Sequence, residues 1–307
     1  MRKFTSQEIK EFVSKPLFDE KVILNKDPSW PKISIVTPSY NQAEFLERTI
    51  LSVLNQNYPN LEYIIIDGGS TDGSVEIIKK YEKYLSYWVS EKDRGQAHAL
   101  NKGFEKAAGD LVGWQNSDDI YLPYSFFEVV DAWKKYPDYD VVYGNVYLID
   151  ENDNILRDMR YIPFNLDYLI YYDWNLSSQG VFWKRSLFDK IGYLENYPVC
   201  FDLDWFIRLG KTTKKFKFIR KFLGGYRIHS RSKFSLIKRN EREPLILEIM
   251  QKHGIKVDES KSWYQQYKIK KIKAFLFKFL YYFIQGDIDY IYKGFLRRLK
   301  SLVRYNA

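Results

Sequence analysis

Three short runs rich in Ile, Val and Leu, each stopping at a polar loop, constrain this chain more than any other feature. Ile33-Ser34-Ile35-Val36-Thr37-Pro38 is β-branched and ends in proline, and Ser39-Tyr40-Asn41 then leads into helical spacing from Ala43 to Asn55. Leu61 to Ile66 repeats the unit, with Asp67-Gly68-Gly69-Ser70-Thr71-Asp72-Gly73 as its turn and Ser74 to Tyr84 as its helix. Gly109 to Trp114 is a third run, followed by Gln115-Asn116-Ser117-Asp118-Asp119. Strand, loop and helix in succession predict an α/β fold, which binds ligands in the loops beyond its strand ends. The acids at those ends are Asp67, Asp118 and Asp119. An Asp-Asp pair in a loop is often only a cap or a solvated turn, but it also suits a divalent cation carrying a diphosphate.

Taken together and in order, these motifs resemble family-2 glycosyltransferases of the GT-A fold over about residues 32 to 232. Thr37-Pro38-Ser39-Tyr40-Asn41 resembles the family's opening nucleotide loop, Ile65 to Asp72 its second, and Asn116-Ser117-Asp118-Asp119 its metal motif. Asp202-Leu203-Asp204-Trp205-Phe206-Ile207-Arg208 is similar to its acceptor-side acidic motif, and Glu91 to Gln96 with Asn101-Lys102-Gly103 to a subgroup common in bacterial surface-polysaccharide synthesis. The resemblance implies a mixed, Rossmann-like sheet flanked by helices, with a nucleotide-sugar half at 32–120 and an acceptor half at 121–232. An arm at 1–31 and a basic helical extension at 233–307 complete the expected organisation.

The same resemblance implies roles for individual residues. Asp67 would accept the uracil imide hydrogen of a UDP-sugar, with Pro38, Tyr40 and Asn41 around the nucleotide. Arg94 would meet ribose or phosphate; the alternative is a surface ion pair with Asp93 or Glu91. Asp118 would bind Mn²⁺ or Mg²⁺, with Asp119 contacting metal, ribose or sugar. The motif's first acid is replaced by Asn116, which lowers the negative charge there. His229 would add a metal ligand from the C-terminal side, or else be a hydrogen-bonded structural histidine; His98 and His253 read as helix-surface residues. Asp202 would be the general base of an inverting displacement, since an acceptor hydroxyl must lose its proton as it attacks. Asp204 stands four residues before Arg208, a spacing that favours a helical ion pair.

Acceptor contacts are expected from Tyr161, Tyr168, Tyr171, Tyr172 and Trp174, whose rings could stack on sugars or fill the core. The acceptor class is a glycan or a lipid-linked glycan. The single Cys200 excludes an internal disulfide and fits a reducing compartment. Residues 1–31 carry no signal-peptide pattern.

Charge is concentrated at the C-terminus, where residues 261–307 hold eleven Lys or Arg against Asp287 and Asp289 and so account for the chain's whole net charge of +9. Ile269, Ile272, Leu276, Phe279, Leu280 and Phe283, then a break at Gly286-Asp287, then Ile288, Ile291, Phe295, Leu299 and Leu302 predict two amphipathic helices. Neither has the roughly twenty uninterrupted apolar residues of a bilayer span. Basic amphipathic helices can lie on an anionic membrane surface, which predicts a peripheral enzyme at the cytoplasmic face. The competing expectation is a hairpin packed on the catalytic domain or on a second copy in a homo-oligomer. A nucleic-acid binder would leave the ordered acidic motifs unexplained, so no nucleic-acid partner is expected. A glycosyltransferase-like scaffold without activity is the other alternative, for which Asn116 speaks.

Overall fold

The computed structural model describes residues 2–172, 175–258, 260–261 and 267–294. Trp174, Phe295, Leu299 and Leu302 lie outside the described residues. Among those described, nine strands form one mixed sheet: β1 (Ile33–Ser39), β2 (Leu61–Asp67), β3 (Tyr87–Ser90), β4 (Leu111–Trp114), β5 (Ile120–Tyr121), β6 (Val141–Ile149), β7 (Ile155–Met159), β8 (Val181–Lys184) and β9 (Phe216–Arg227). Their order is β3-β2-β1-β4-β8-β6-β9-β5, with β7 paired to β6.

The first four strands are mutually parallel, in register from Ile33 opposite Leu61 and Leu111. β8 runs antiparallel to both β4 and β6, while β9 is parallel to β6 and antiparallel to β5. Period-2 alternation sends the side chains of β2 to two cores. Leu61, Tyr63 and Ile65 pack with the helices Ala43–Leu54, Ser74–Tyr81 and Ser125–Lys135. Ile64 and Ile66 pack with Gln96–Lys106 and Phe201–Thr212 on the opposite face. The helix Gln96–Lys106 lies so close to β1 that a Cβ on Gly103 would stand 2.3 Å from Val36 Cγ1.

The arm forms two helices, Ser6–Ser14 and Glu20–Asn25. Thr5 and Glu8 close a capping box on the first, whose Ile9 and Val13 bury against Tyr147 and Phe222. At the other end, Arg239–Lys252 packs on Phe201–Thr212 through Ile249 and Met250. Lys268–Ile284 is the first of the expected amphipathic helices, and a second helical stretch starts at 288, after the break at Gly286-Asp287. Tyr281 and Tyr282 dock this pair on Ile162 and Tyr168, and buried Arg160 bonds Asp287 at 2.8 Å and Asp289 at 3.4 Å. No helix among the described residues is long and apolar enough to cross a membrane.

Candidate active site

β2 and β4 lie on opposite sides of β1, so the chain crosses the sheet in opposite directions and leaves a crevice beyond the strand ends. A cleft of about 1820 Å³ opens there, lined by Pro38 near the end of β1 with Tyr40 and Asn41 after it, Gly68 and Gly69 after β2, and Asn116 to Asp119 after β4. Asp202 and Lys233 reach the same cleft from the C-terminal half.

Asp67 ends β2 fully buried, and its carboxylate is engaged by its own loop. Oδ2 accepts from the amides of Gly69 at 3.0 Å and Ser70 at 2.8 Å and from Ser90 Oγ at 2.7 Å, while Oδ1 accepts from Ser70 Oγ. These bonds hold the loop in shape. The loop is tied to its neighbour by Asn41, which has φ +51, donates its amide to Ser70 Oγ at 2.8 Å and accepts from the Thr71 amide at 3.0 Å. The Asp93 carboxylate stands beside this loop: its Oδ1 accepts from the Gly95 amide at 2.7 Å, and its Oδ2 lies 2.9 Å from where a Cβ on Gly68 would be, with the Tyr40 ring alongside. Arg94 does not line the main cleft; it borders a smaller hollow with Asn196 and Tyr197, and Glu91 pairs with Lys102 instead of with it.

The two acids after β4 face different ways. Asp118 is about one-fifth exposed to the cleft, and its Oδ2 lies 3.0 Å from His229 Nε2. His229 is buried against Phe45, with ring centroids 4.5 Å apart, and its buried Nδ1 has no hydrogen-bond partner among the described residues. Asp119 points inward and is fully buried, although it still borders the cleft. Its oxygens accept from the Arg227 amide at 2.8 Å, Gln179 Nε2 at 2.6 Å and Asn116 Nδ2 at 2.9 Å. Burial, reinforced by the neighbouring Asp118 charge, pushes its pKa up to about 7. Asn116 is a strut, donating to Asp119 while its Oδ1 accepts from Gln96 at 2.8 Å. A carboxylate at 116 would face that of Asp119, and the amide avoids this repulsion. Among the described residues no three His, Cys, Asp or Glu side chains converge as a ready-made metal cluster. Asp118 with His229 offers one carboxylate and one imidazole, a set that fits Mn²⁺ or Mg²⁺ if diphosphate oxygens complete the shell.

Across the cleft, the chain enters the helix Phe201–Thr212 through Cys200 at φ +61, which places Asp202 in the first turn. One Asp202 oxygen accepts from the Leu203 amide at 3.0 Å. Burial pushes its pKa up to about 6. Asp204 is fully buried and accepts from Arg208 Nε at 2.8 Å, the ion pair that the spacing predicts. His253 is not the free surface residue read from its position: its Nε2 lies 2.9 Å from the other Asp204 oxygen, which ties the helix Arg239–Lys252 to the acceptor-side helix. Asp204 therefore has its partners, and Asp202 is the acid left facing the cleft.

Arg227, at the end of β9, is a residue that carries no signal in type or spacing marking it as part of the site. Its guanidinium is buried and donates to the Asp118 carbonyl at 2.6 Å, the Asp150 carbonyl at 2.8 Å and Asp153 Oδ1 at 2.6 Å. Lys233 is a second one, a cation in the cleft on which the charges of Asp93 and Asp118 both act. Of the aromatic candidates, Tyr161 and Tyr172 line the cleft, while Tyr168 and Tyr171 lie in the core.

The family model described as Glycosyl transferase family 2 matches residues 34–211. An uncharacterised glycosyltransferase of Methanocaldococcus jannaschii, MJ1057, is 29% identical over 220 residues, covering 69% of this chain and 76% of that protein. TuaG of Bacillus subtilis, named as a candidate teichuronic acid biosynthesis glycosyltransferase, is 42% identical over 92 residues, which are 29% of this chain and only 36% of that one. Among solved structures, S. aureus TarS with UDP-GlcNAc superposes with a TM-score of 0.57 at 17% identity, over 75% of this chain and 68% of that one. The mannosyltransferase PcManGT of Pyrobaculum calidifontis, with GDP-Man and Mn²⁺, gives 0.55 at 18% identity, over 82% and 71%. At such identities the structural likeness speaks for the fold. With the family model spanning more than half of its length, the chain belongs to glycosyl transferase family 2 and has the GT-A fold.

Proposed function

We propose that this protein is an inverting transferase that moves a sugar from a UDP-sugar to a hydroxyl of a glycan or lipid-linked acceptor in bacterial polysaccharide synthesis. The observation that carries the reading is the placement of Asp118 and Asp202 on one cleft, the first paired with His229 and the second raised toward neutral pH by burial. On this reading residues 32–232 are the catalytic domain. The donor lies over the ends of β1, β2 and β4, its base beside Pro38, Tyr40, Asn41 and the Asp67 loop and its diphosphate toward Asp118 and Lys233. Arg94 would reach the ribose or phosphate only by turning from its present hollow. Solved neighbours hold UDP-GlcNAc in one case and GDP-Man with Mn²⁺ in another, so both the donor class and a metal have parallels.

Asp118 and His229 would hold Mn²⁺ or Mg²⁺, which when bound neutralises charge on the departing diphosphate. The acceptor hydroxyl oxygen forms its bond to the anomeric carbon on the face opposite the diphosphate, whose C–O bond breaks and carries the electron pair away. Asp202 takes the hydroxyl proton in that step, a task suited to a base titrating near pH 6. Asp119, Arg227 and Asn116 fix the loop that presents Asp118. The basic tail supplies attraction to an anionic membrane at the cytoplasmic face.

The reading is tested by incubating the intact protein with a panel of UDP- and GDP-sugars and measuring release of the nucleoside diphosphate. Metal-stimulated release that disappears in Asp118→Ala is the expected result. No release from any donor, with the nucleotide still bound, would favour a scaffold that has lost its chemistry.

A further inference from the structure

The cleft continues beyond Asp202 to the C-terminal helix Lys268–Ile284, which lines it through Phe275, Lys278, Phe279 and Tyr282. Ile288 and Tyr292, beyond the break at Gly286, extend the same wall. On a helix turning about 100° per residue, those first four positions occupy one arc of roughly 100°. The next arc carries Ile272, Leu276 and Phe283, each more than half exposed at 59%, 56% and 58%. Ala274 and Tyr281, on the other side, pack against the body of the protein. The helix thus presents a docked face, a cleft face and an apolar solvent face in succession, and Phe275 and Phe279 join the last two.

The chemistry of this wall differs from that of a site for a free glycan. Sugar hydroxyls need hydrogen-bonding partners, whereas this end is built mainly from aromatic and aliphatic surface. Two cations stand in it besides Arg160, whose guanidinium is taken up by Asp158, Asp287 and Asp289. Lys278 Nζ lies 5.6 and 5.8 Å from the Tyr168 and Tyr172 ring centroids. Arg157, on β7, lines the cleft and is exposed, and its guanidinium makes no hydrogen bond or ion pair among the described residues. An apolar wall running out to solvent, with cations beside it, matches an apolar chain that carries an anionic head.

We propose that this end of the cleft binds an anionic amphiphile, an apolar chain bearing phosphate or diphosphate, and that the acceptor is therefore lipid-linked. The inference rests on the transferase reading and narrows its acceptor. The chain enters over the exposed face of Lys268–Ile284 and lies along Phe275 and Phe279. Its phosphate meets Lys278 and Arg157, and the glycan hydroxyl reaches Asp202.

Binding of farnesyl phosphate to the intact protein, measured by equilibrium dialysis below the concentration at which the probe aggregates, tests this. Phe275 and Phe279 are partly exposed, so the double substitution to Ser is compatible with folding, and unchanged UDP binding serves as the check. Farnesyl phosphate is expected to bind and to lose affinity at least tenfold in the double variant and several-fold in Arg157→Gln, with inorganic phosphate far weaker than either. No farnesyl phosphate binding, equal affinity in the double variant, or inorganic phosphate binding as tightly as the amphiphile would each overturn the proposal. Loss of UDP binding in the wild type would instead count against the transferase reading, leaving the amphiphile result legible by itself.

Discussion

Replacing Arg227 by Leu removes the cation that ties the end of β9 to two loops, the one that holds Asp118 and the turn at 150–153. Its guanidinium, 0% exposed at the side chain, bonds Asp153, while two further donors satisfy the carbonyls of Asp118 and Asp150. Removing one partner of a buried ion pair costs about 3–5 kcal/mol. Asp153 keeps Arg48, whose Nη1 donates to its second oxygen at 2.7 Å, so the lower end, about 3 kcal/mol, is expected. For a chain of this size each kcal/mol moves Tm by about 2 °C, so Arg227→Leu should melt about 6 °C lower. Differential scanning calorimetry of the two proteins measures this. Adding Asp153→Leu should cost less than the sum of the single changes, because the second removes the charge that the first strands; a coupling of about 1–3 kcal/mol is expected in urea unfolding. A Tm within 1 °C of wild type, or full additivity, would refute the assignment of Arg227 as the buried link that holds the Asp118 loop.

Two other predictions concern chemistry and location. Asp202→Asn should lower kcat by about 10²–10⁴ while leaving nucleotide affinity unchanged. Because the group acts as its deprotonated form, wild-type kcat/KM should rise with pH through about 6, and this acid limb should vanish from the residual activity of the variant. Flotation with anionic vesicles should carry the full chain upward and leave a chain lacking residues 261–307 at the bottom; equal flotation of both would remove the tail as the membrane contact.

The first half of the fold is legible in the sequence because β1, β2 and β4 are buried on both faces, and their apolar runs end at Pro38, Asp67 and the Asn116 loop. β9 is not legible in that way. Its first six residues are only partly buried and include Lys217, Arg220 and Lys221, so pairing with β6 rather than its own pattern makes it a strand. The ion pair Asp204–Arg208 follows from helical spacing, whereas the bond from His253 crosses 49 residues and depends on how Arg239–Lys252 packs. The acids of the site were legible as residues but not in their directions. Asp67 and Asp119 turn inward because backbone amides of Gly69, Ser70 and Arg227 meet them, and such donors leave no trace in residue type. Asn116 reads from sequence as a weakened metal ligand; in the fold its amide connects Gln96 to Asp119.

The decisive measurement is calorimetric titration of the intact protein with UDP, GDP and dTDP, with and without Mn²⁺, in wild type and Asp118→Ala. UDP should bind, and Mn²⁺ should strengthen that binding in the wild type and leave it unaltered in the variant. Absence of UDP, GDP and dTDP binding with and without metal would contradict it.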